Sequence, residues 1–122
     1  MTDDTTVLVG TVGQGIMLSP DGGDSWQRIG ANQGMYQNPM VRVMVNHPSR
    51  PKVVYAGTER GLFKSDDAGQ HWRRIDSPLS DFSVWTIAIS PNNPDLILAG
   101  TGTPTPVAMF RSTDAGETWE RR

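Results

Sequence analysis

Two carboxylates, Glu59 in "TERG" and Asp81 in "DSPLSDF", are the side chains of this sequence best placed to share acid–base work. Cleavage of a glycosidic bond asks for such a pair roughly 5 to 10 Å apart, one acid held protonated and the other ionised. Tyr36, Arg42, Arg60, Trp85 and Thr103 are the accompanying groups that could hold a sugar or a peptide by stacking and hydrogen bonding. As single residues all seven also read as solvated loop positions or packing positions. Their chemistry depends on which loops the chain brings to one end of the fold.

Those loops are set by an internal repeat. The stretches "SPDGGDSW" (19–26), "SDDAGQHW" (65–72) and "STDAGETW" (112–119) share Ser-x-Asp-x-Gly-x-x-Trp, and their first serines are 46 and 47 residues apart. Self-similarity at that period indicates stacked supersecondary units. Upstream of each box runs a β-branched strand ending in Gly-Thr: "TVLVGT", "KVVYAGT" and "DLILAGT". A second apolar stretch ("GIML", "GLFK", "VAMFR") leads into each box, and a third starts at its tryptophan. The second and third units carry one more alternating strand, "VRVMVNHPSRP" and "VWTIAISPNNP", each closed by a proline-bracketed turn. Each full unit is therefore four short antiparallel strands, A to D, and the first has only B to D. The expected fold is all-β: one propeller segment of eleven strands or about 2.75 blades, with blades at 6–30, 40–76 and 83–122.

The box residues read as structural. An Asp two positions before a Gly can accept from the turn's own N–H groups, and the Gly supplies a left-handed conformation. The tryptophan can fold back over the turn and bury its ring against the adjoining sheet. This assigns Ser19, Asp21, Gly23 and Trp26, then Ser65, Asp67, Gly69 and Trp72, then Ser112, Asp114, Gly116 and Trp119. Clustered Asp and Gly can also form a calcium loop, but no bidentate Glu follows at the twelfth position. His47 and His71 offer only two nitrogen ligands, so no metal site is assigned, and no cofactor motif is present.

Alternating strand direction puts the boxes, as C–D loops, at one end with the A–B turns. The B–C and D–A loops share the other. Asp3 and Asp4 fall on the box end, whereas Glu59, Asp76 and Asp81 fall on the opposite one. There the repeats also differ most in length, the third B–C loop being extended by "TGTPTPVA" around Thr103. Arg42 aligns with Trp85 at the start of strand A, the innermost strand, so both are expected near the central channel.

The three boxes and their "AGT"-type strands resemble the Asp-box, or BNR-repeat, β-propellers, a group that includes sialidases, xyloglucan-active glycoside hydrolases, sortilin-type receptors and Ycf48-like assembly factors. The resemblance covers nearly the whole chain. It implies a propeller with its site on the face away from the boxes. For a sialidase-like site it implies a Tyr–Glu pair and an arginine cluster, of which Tyr36, Arg42 and Arg60 are a partial set. Typical rings hold about 4 to 8 blades, so the chain is expected either to be the N-terminal piece of a longer propeller or to complete its ring by self-association, with two chains (about six blades) favoured over three (about nine).

The 122 residues have a net charge of −2 and no basic stripe, which gives no case for nucleic acid or an anionic membrane. There are no cysteines, and no apolar run approaches the roughly 20 residues of a membrane span. The acidic opening "MTDDTT" is unlike a signal peptide, so the expectation is a soluble, cytoplasmic chain. The sequence favours a non-catalytic binding and assembly module that oligomerises to complete a propeller. A hydrolase acting at the B–C/D–A end through Glu59 and Asp81 is the alternative.

Overall fold

A computed structural model describes residues 5–37 and 39–122; Asp3 and Asp4 lie outside them. Eleven strands form three antiparallel sheets. The first sheet is β1 (Val7–Gly10), β2 (Ile16–Ser19) and β3 (Gln27–Ile29). The second is β4 (Val41–Asn46), β5 (Val54–Thr58), β6 (Gly61–Ser65) and β7 (Arg73–Arg74). The third is β8 (Ser83–Ile89), β9 (Ile97–Gly102), β10 (Met109–Ser112) and β11 (Glu120–Arg121). In every sheet the strands pair in chain order, which is the arrangement of a propeller blade. The D–A connections contain two short 3₁₀ turns, Ala31–Gln33 and Pro78–Asp81, which the strand-only reading did not anticipate.

The boxes are hydrogen-bonded turns of one design. In the third, Ser112 Oγ donates to Asp114 Oδ1 at 2.7 Å and accepts from the Gly116 N–H at 2.8 Å, while the Thr118 N–H donates to Asp114 Oδ1 at 2.8 Å. The first two repeat these bonds through Ser19, Asp21 and Gly23 and through Ser65, Asp67 and Gly69. Each tryptophan then closes its turn by donating Nε1 to the box glycine carbonyl, at 2.9, 2.8 and 2.8 Å. The residue before that glycine is left-handed too: Gly22 has φ 71°, and Ala68 and Ala115 each have φ 62°. An alanine there costs roughly 1–2 kcal/mol in backbone strain, and nothing in the residue type announces it.

Blades pack by seating a box on the preceding sheet. A β-carbon on Gly69 would fall 2.6 Å from Leu8 Cδ1, and one on Gly116 would fall 3.0 Å from Tyr55 Cε1, so only glycine lets these surfaces meet. Trp72 joins the cluster of Ile16, Leu18 and Ile29 from the first sheet, and Trp119 joins that of Tyr55, Leu62 and Ile75 from the second. Tyr55 Oη donates to the Ala115 carbonyl at 2.8 Å, and burial pushes that phenol up to about 12, so it stays a donor. Glu117 completes the seam with Arg73 at 2.9 Å and Lys64 at 3.1 Å, and these bonds hold its carboxyl below the usual range.

The first box departs from the expectation that all three tryptophans are buried. Trp72 and Trp119 are 5% and 7% exposed, but Trp26 is 44% exposed. The physical reason is that the box itself supplies no cover for the ring. The preceding sheet does, and among the described residues no sheet precedes β1.

Candidate functional site

Two β-bulges create the main cluster. The register of β4 on β5 steps from Val41↔Thr58 to Val43↔Gly57, and that of β8 on β9 from Val84↔Thr101 to Thr86↔Gly100. The residues left out of the ladders are Arg42 and Trp85. A bulge turns the extra residue out of the normal alternation, and here it turns the two toward each other across adjacent blades. The Arg42 guanidinium carbon lies 4.1 Å from the Trp85 ring centroid, and Arg42 Nε donates to Ser83 Oγ at 3.2 Å. Trp85 Nε1 donates to the Thr103 carbonyl at 3.0 Å, and a β-carbon on Gly102 would sit 3.0 Å from the indole, so a bare backbone supports the ring. Even so clasped, Trp85 remains 41% exposed.

The extended third B–C loop is built rather than loose. Thr105 Oγ1 donates to the Gly102 carbonyl at 2.6 Å and accepts from the Ser83 N–H at 2.9 Å. Thr101 Oγ1 donates to the Pro106 carbonyl at 2.8 Å and accepts from the Ala108 N–H at 2.9 Å. The loop therefore presents Thr103 to Trp85 as a fixed acceptor. Ser83 was missed in sequence because it aligns with Met40 and carries no signal beyond its place at the head of β8.

The second cluster joins Tyr36, Glu59 and Arg60. Tyr36 Oη donates to Glu59 Oε1 at 3.4 Å and accepts from the Met40 N–H at 3.3 Å, and the Arg60 guanidinium carbon lies 4.9 Å from the tyrosine ring centroid. Burial raises the Tyr36 pKa, so the phenol is a neutral donor and a poor nucleophile. Asp81 is exposed at the end of the Pro78–Asp81 turn, whose preceding residues pack on Gly61: a β-carbon there would fall 2.8 Å from Ser80 Cα and 3.0 Å from the Leu79 carbonyl oxygen. The histidines stay apart in function. His47 Nδ1 faces the Ser49 and Arg50 N–H groups at 3.1 Å each, and His71 Nδ1 pairs with Asp67 Oδ2 at 2.8 Å. No group of three or more His, Asp or Glu side chains able to hold a metal ion occurs among the described residues. A depression of about 310 Å³ lined by Leu8, Met44 and Ala68 is an open seam between the first two sheets.

Comparison with known proteins settles the family. A sequence profile described as "Sortilin, neurotensin receptor 3" matches residues 14–122. The chain belongs to the Sortilin-Vps10 family. Within that family's Asp-box propeller architecture, it is also similar to glycoside hydrolases. A xyloglucanase of Hypocrea jecorina is 28% identical over 108 residues, which is 88% of this chain and 12% of that protein. Xyloglucanase Xgh74A of Acetivibrio thermocellus is 26% identical over 133 residues, covering 86% of this chain and 16% of its own length. Among solved structures, an ancestral GH74 enzyme superposes with a TM-score of 0.80 at 22% identity, over 98% of this chain and 16% of that one. Ycf48 bound to a D1 peptide superposes with a TM-score of 0.70 at 20% identity, over 98% of this chain and 37% of that one. The chain thus spans 12–16% of the length of these xyloglucanases. The structural likenesses, all below a quarter identity, establish the propeller fold.

Proposed function

We propose that this Sortilin-Vps10 family chain is a non-catalytic binding and assembly module, contributing Asp-box blades to a propeller and taking a carbohydrate or peptide at the Arg42–Trp85 cluster. The observation that carries this reading is the pair of matched bulges, which spends ladder pairing on both strands to bring a guanidinium and a half-exposed indole together at 4.1 Å. An indole flanked by a guanidinium and an ordered threonine loop offers stacking, a cation and hydrogen-bond acceptors to an uncharged or weakly acidic ligand. The relatives point to the two ligand classes, xyloglucan-type oligosaccharide by their names and peptide through Ycf48. Titration calorimetry with xyloglucan oligosaccharides and with a panel of short peptides tests it. Binding should weaken about tenfold or more in Trp85→Ala and in Arg42→Ala, with no product formed. Affinity unchanged in both variants would overturn the assignment.

A hydrolytic reading is favoured by one specific arrangement, the Tyr36–Glu59 contact with Arg60 beside it. It predicts turnover of a glycoside or ester that is lost in Glu59→Gln. Asp81 is the candidate second acid, and Asp81→Asn separates that case from Glu59 acting with Tyr36.

A further inference from the structure

The two outer faces of the blade stack repeat, in halves, the interface that the stack makes internally. At each internal seam the pad is the third residue before the Gly-Thr threonine, Leu8 and then Tyr55, and the box of the next blade sits on it. The corresponding pad of the last blade is Leu98, which is 37% exposed where Tyr55 is fully buried. Beside it, Met109 is 49% exposed, although Ile16 and Leu62 at the same strand position are fully buried. The matching half is the first box, with Trp26 uncovered at the other end of the stack.

The charges on the two halves also match. At the second seam Lys64 faces Glu117, the sixth residue of the box. The equivalent positions at the first seam are Leu18 and Gln70, an uncharged pair, and those left over at the ends are Arg111 and Asp24. Arg111 Nε is buried without a hydrogen-bond partner among the described residues. The Arg111 side chain as a whole is 37% exposed, so the rest of its guanidinium can be met from outside. Glu120, which replaces Arg73 of the second blade, is already shared by Arg111 at 3.3 Å and Arg122 at 3.0 Å, so this end keeps a net positive charge. Asp24 stands exposed on the first box to meet it.

We infer that a second copy of this chain docks head to tail, its first box seating on Leu98 and Met109 with Trp26 over them and Asp24 directed at Arg111. The inference rests on the assembly reading above and names the partner. Such a contact joins two different surfaces, so it either closes a ring or continues. Two copies, supplying about six blades between them, fall within the usual ring size.

Light scattering on the full chain across a concentration range tests this, with thermal melts to confirm that each variant stays folded. The expected species is a dimer of the 13.4 kDa chain. Leu98→Asp should weaken it about 30-fold or more, and Arg111→Glu or Asp24→Arg alone about tenfold. The Asp24→Arg/Arg111→Glu double variant should recover most of the loss, because the reversed charges meet across copies. Mixing the two single variants should give a 1:1 pair. A monomer at every concentration would overturn the inference and assign the faces to blades of another polypeptide or of a longer chain. A dimer indifferent to all of these substitutions would overturn it as well, by placing the contact elsewhere. Ligand titration at Trp85 is read separately, so failure of the dimer and failure of the binding site are distinguishable.

Discussion

Bond for bond, the serine, aspartate and glycine of the first box repeat what the third box does, yet Trp26 lies open while Trp119 is buried in the cluster of Tyr55, Leu62 and Ile75. The difference separates two jobs that a shared motif conceals. Shaping the turn is local and needs only the eight residues of the box. Burying the tryptophan is a property of the neighbouring sheet, so the same residue type stabilises one blade boundary and is nearly idle at another.

The largest effect tests that separation directly. Trp119→Ala removes a ring buried between blades and is expected to cost about 3–5 kcal/mol, whereas Trp26→Ala, measured where the chain is monomeric, should cost under about 1 kcal/mol. Urea denaturation of the two variants reads the contrast. Equal losses would break the comparison and mean that the indole acts mainly on its own turn through the Nε1 bond to glycine.

Sequence made the strands and turns legible because the boxes recur at a near-constant period and every apolar run between them has a partner in the next repeat. It also placed Arg42 and Trp85 at equivalent positions of strand A. It did not disclose why they meet. A β-bulge arises from the pairing of two strands, and neither Val41–Val43 nor Val84–Thr86 contains a glycine or proline that would mark one. Trp26 was misjudged for a related reason, since burial by a neighbour is invisible in a motif that contains no neighbour. Nor did the loop sequences disclose that Glu59 contacts Tyr36 or that Asp81 ends a 3₁₀ turn.

Acid should act alike on the first and third boxes, in contrast to the tryptophan substitutions. Bonds from the Ser25 hydroxyl and N–H and from Ser19 lower Asp21 to about 2, and the equivalent bonds from Thr118 and Ser112 lower Asp114 to about 2. A carboxyl whose folded pKa lies below its unfolded value near 3.9 adds stability above that value and loses it as pH falls toward the folded one. The melting temperature is therefore expected to hold from pH 7 to about 4.5 and to decline between about pH 4 and 2. Asp21→Asn and Asp114→Asn should each reduce that decline to a similar degree, by less than the loss on Trp119→Ala. A decline that Asp114→Asn reduces and Asp21→Asn leaves intact would mean that the third box draws its acid sensitivity from the blade seam rather than from the turn.

The smallest effect has a sign that can be worked out. Ala68 and Ala115 occupy the left-handed position where the first box has Gly22. Replacing Ala115 with glycine relieves about 1–2 kcal/mol of backbone strain. It also gives back about 0.5–1 kcal/mol, because glycine has more freedom to lose on folding. The net expectation is a gain of about 0.5 kcal/mol, and Gly22→Ala should lose a similar amount. Paired melts of Ala115→Gly and Gly22→Ala read both directions. The Tyr55 bond survives the change because it is made to the backbone carbonyl of residue 115, so any loss on Ala115→Gly would have to come from the methyl group itself. That result would make the alanine a packing element of the internal seam, one the open first box has no use for, and the comparison between the two boxes would then extend to a single carbon atom.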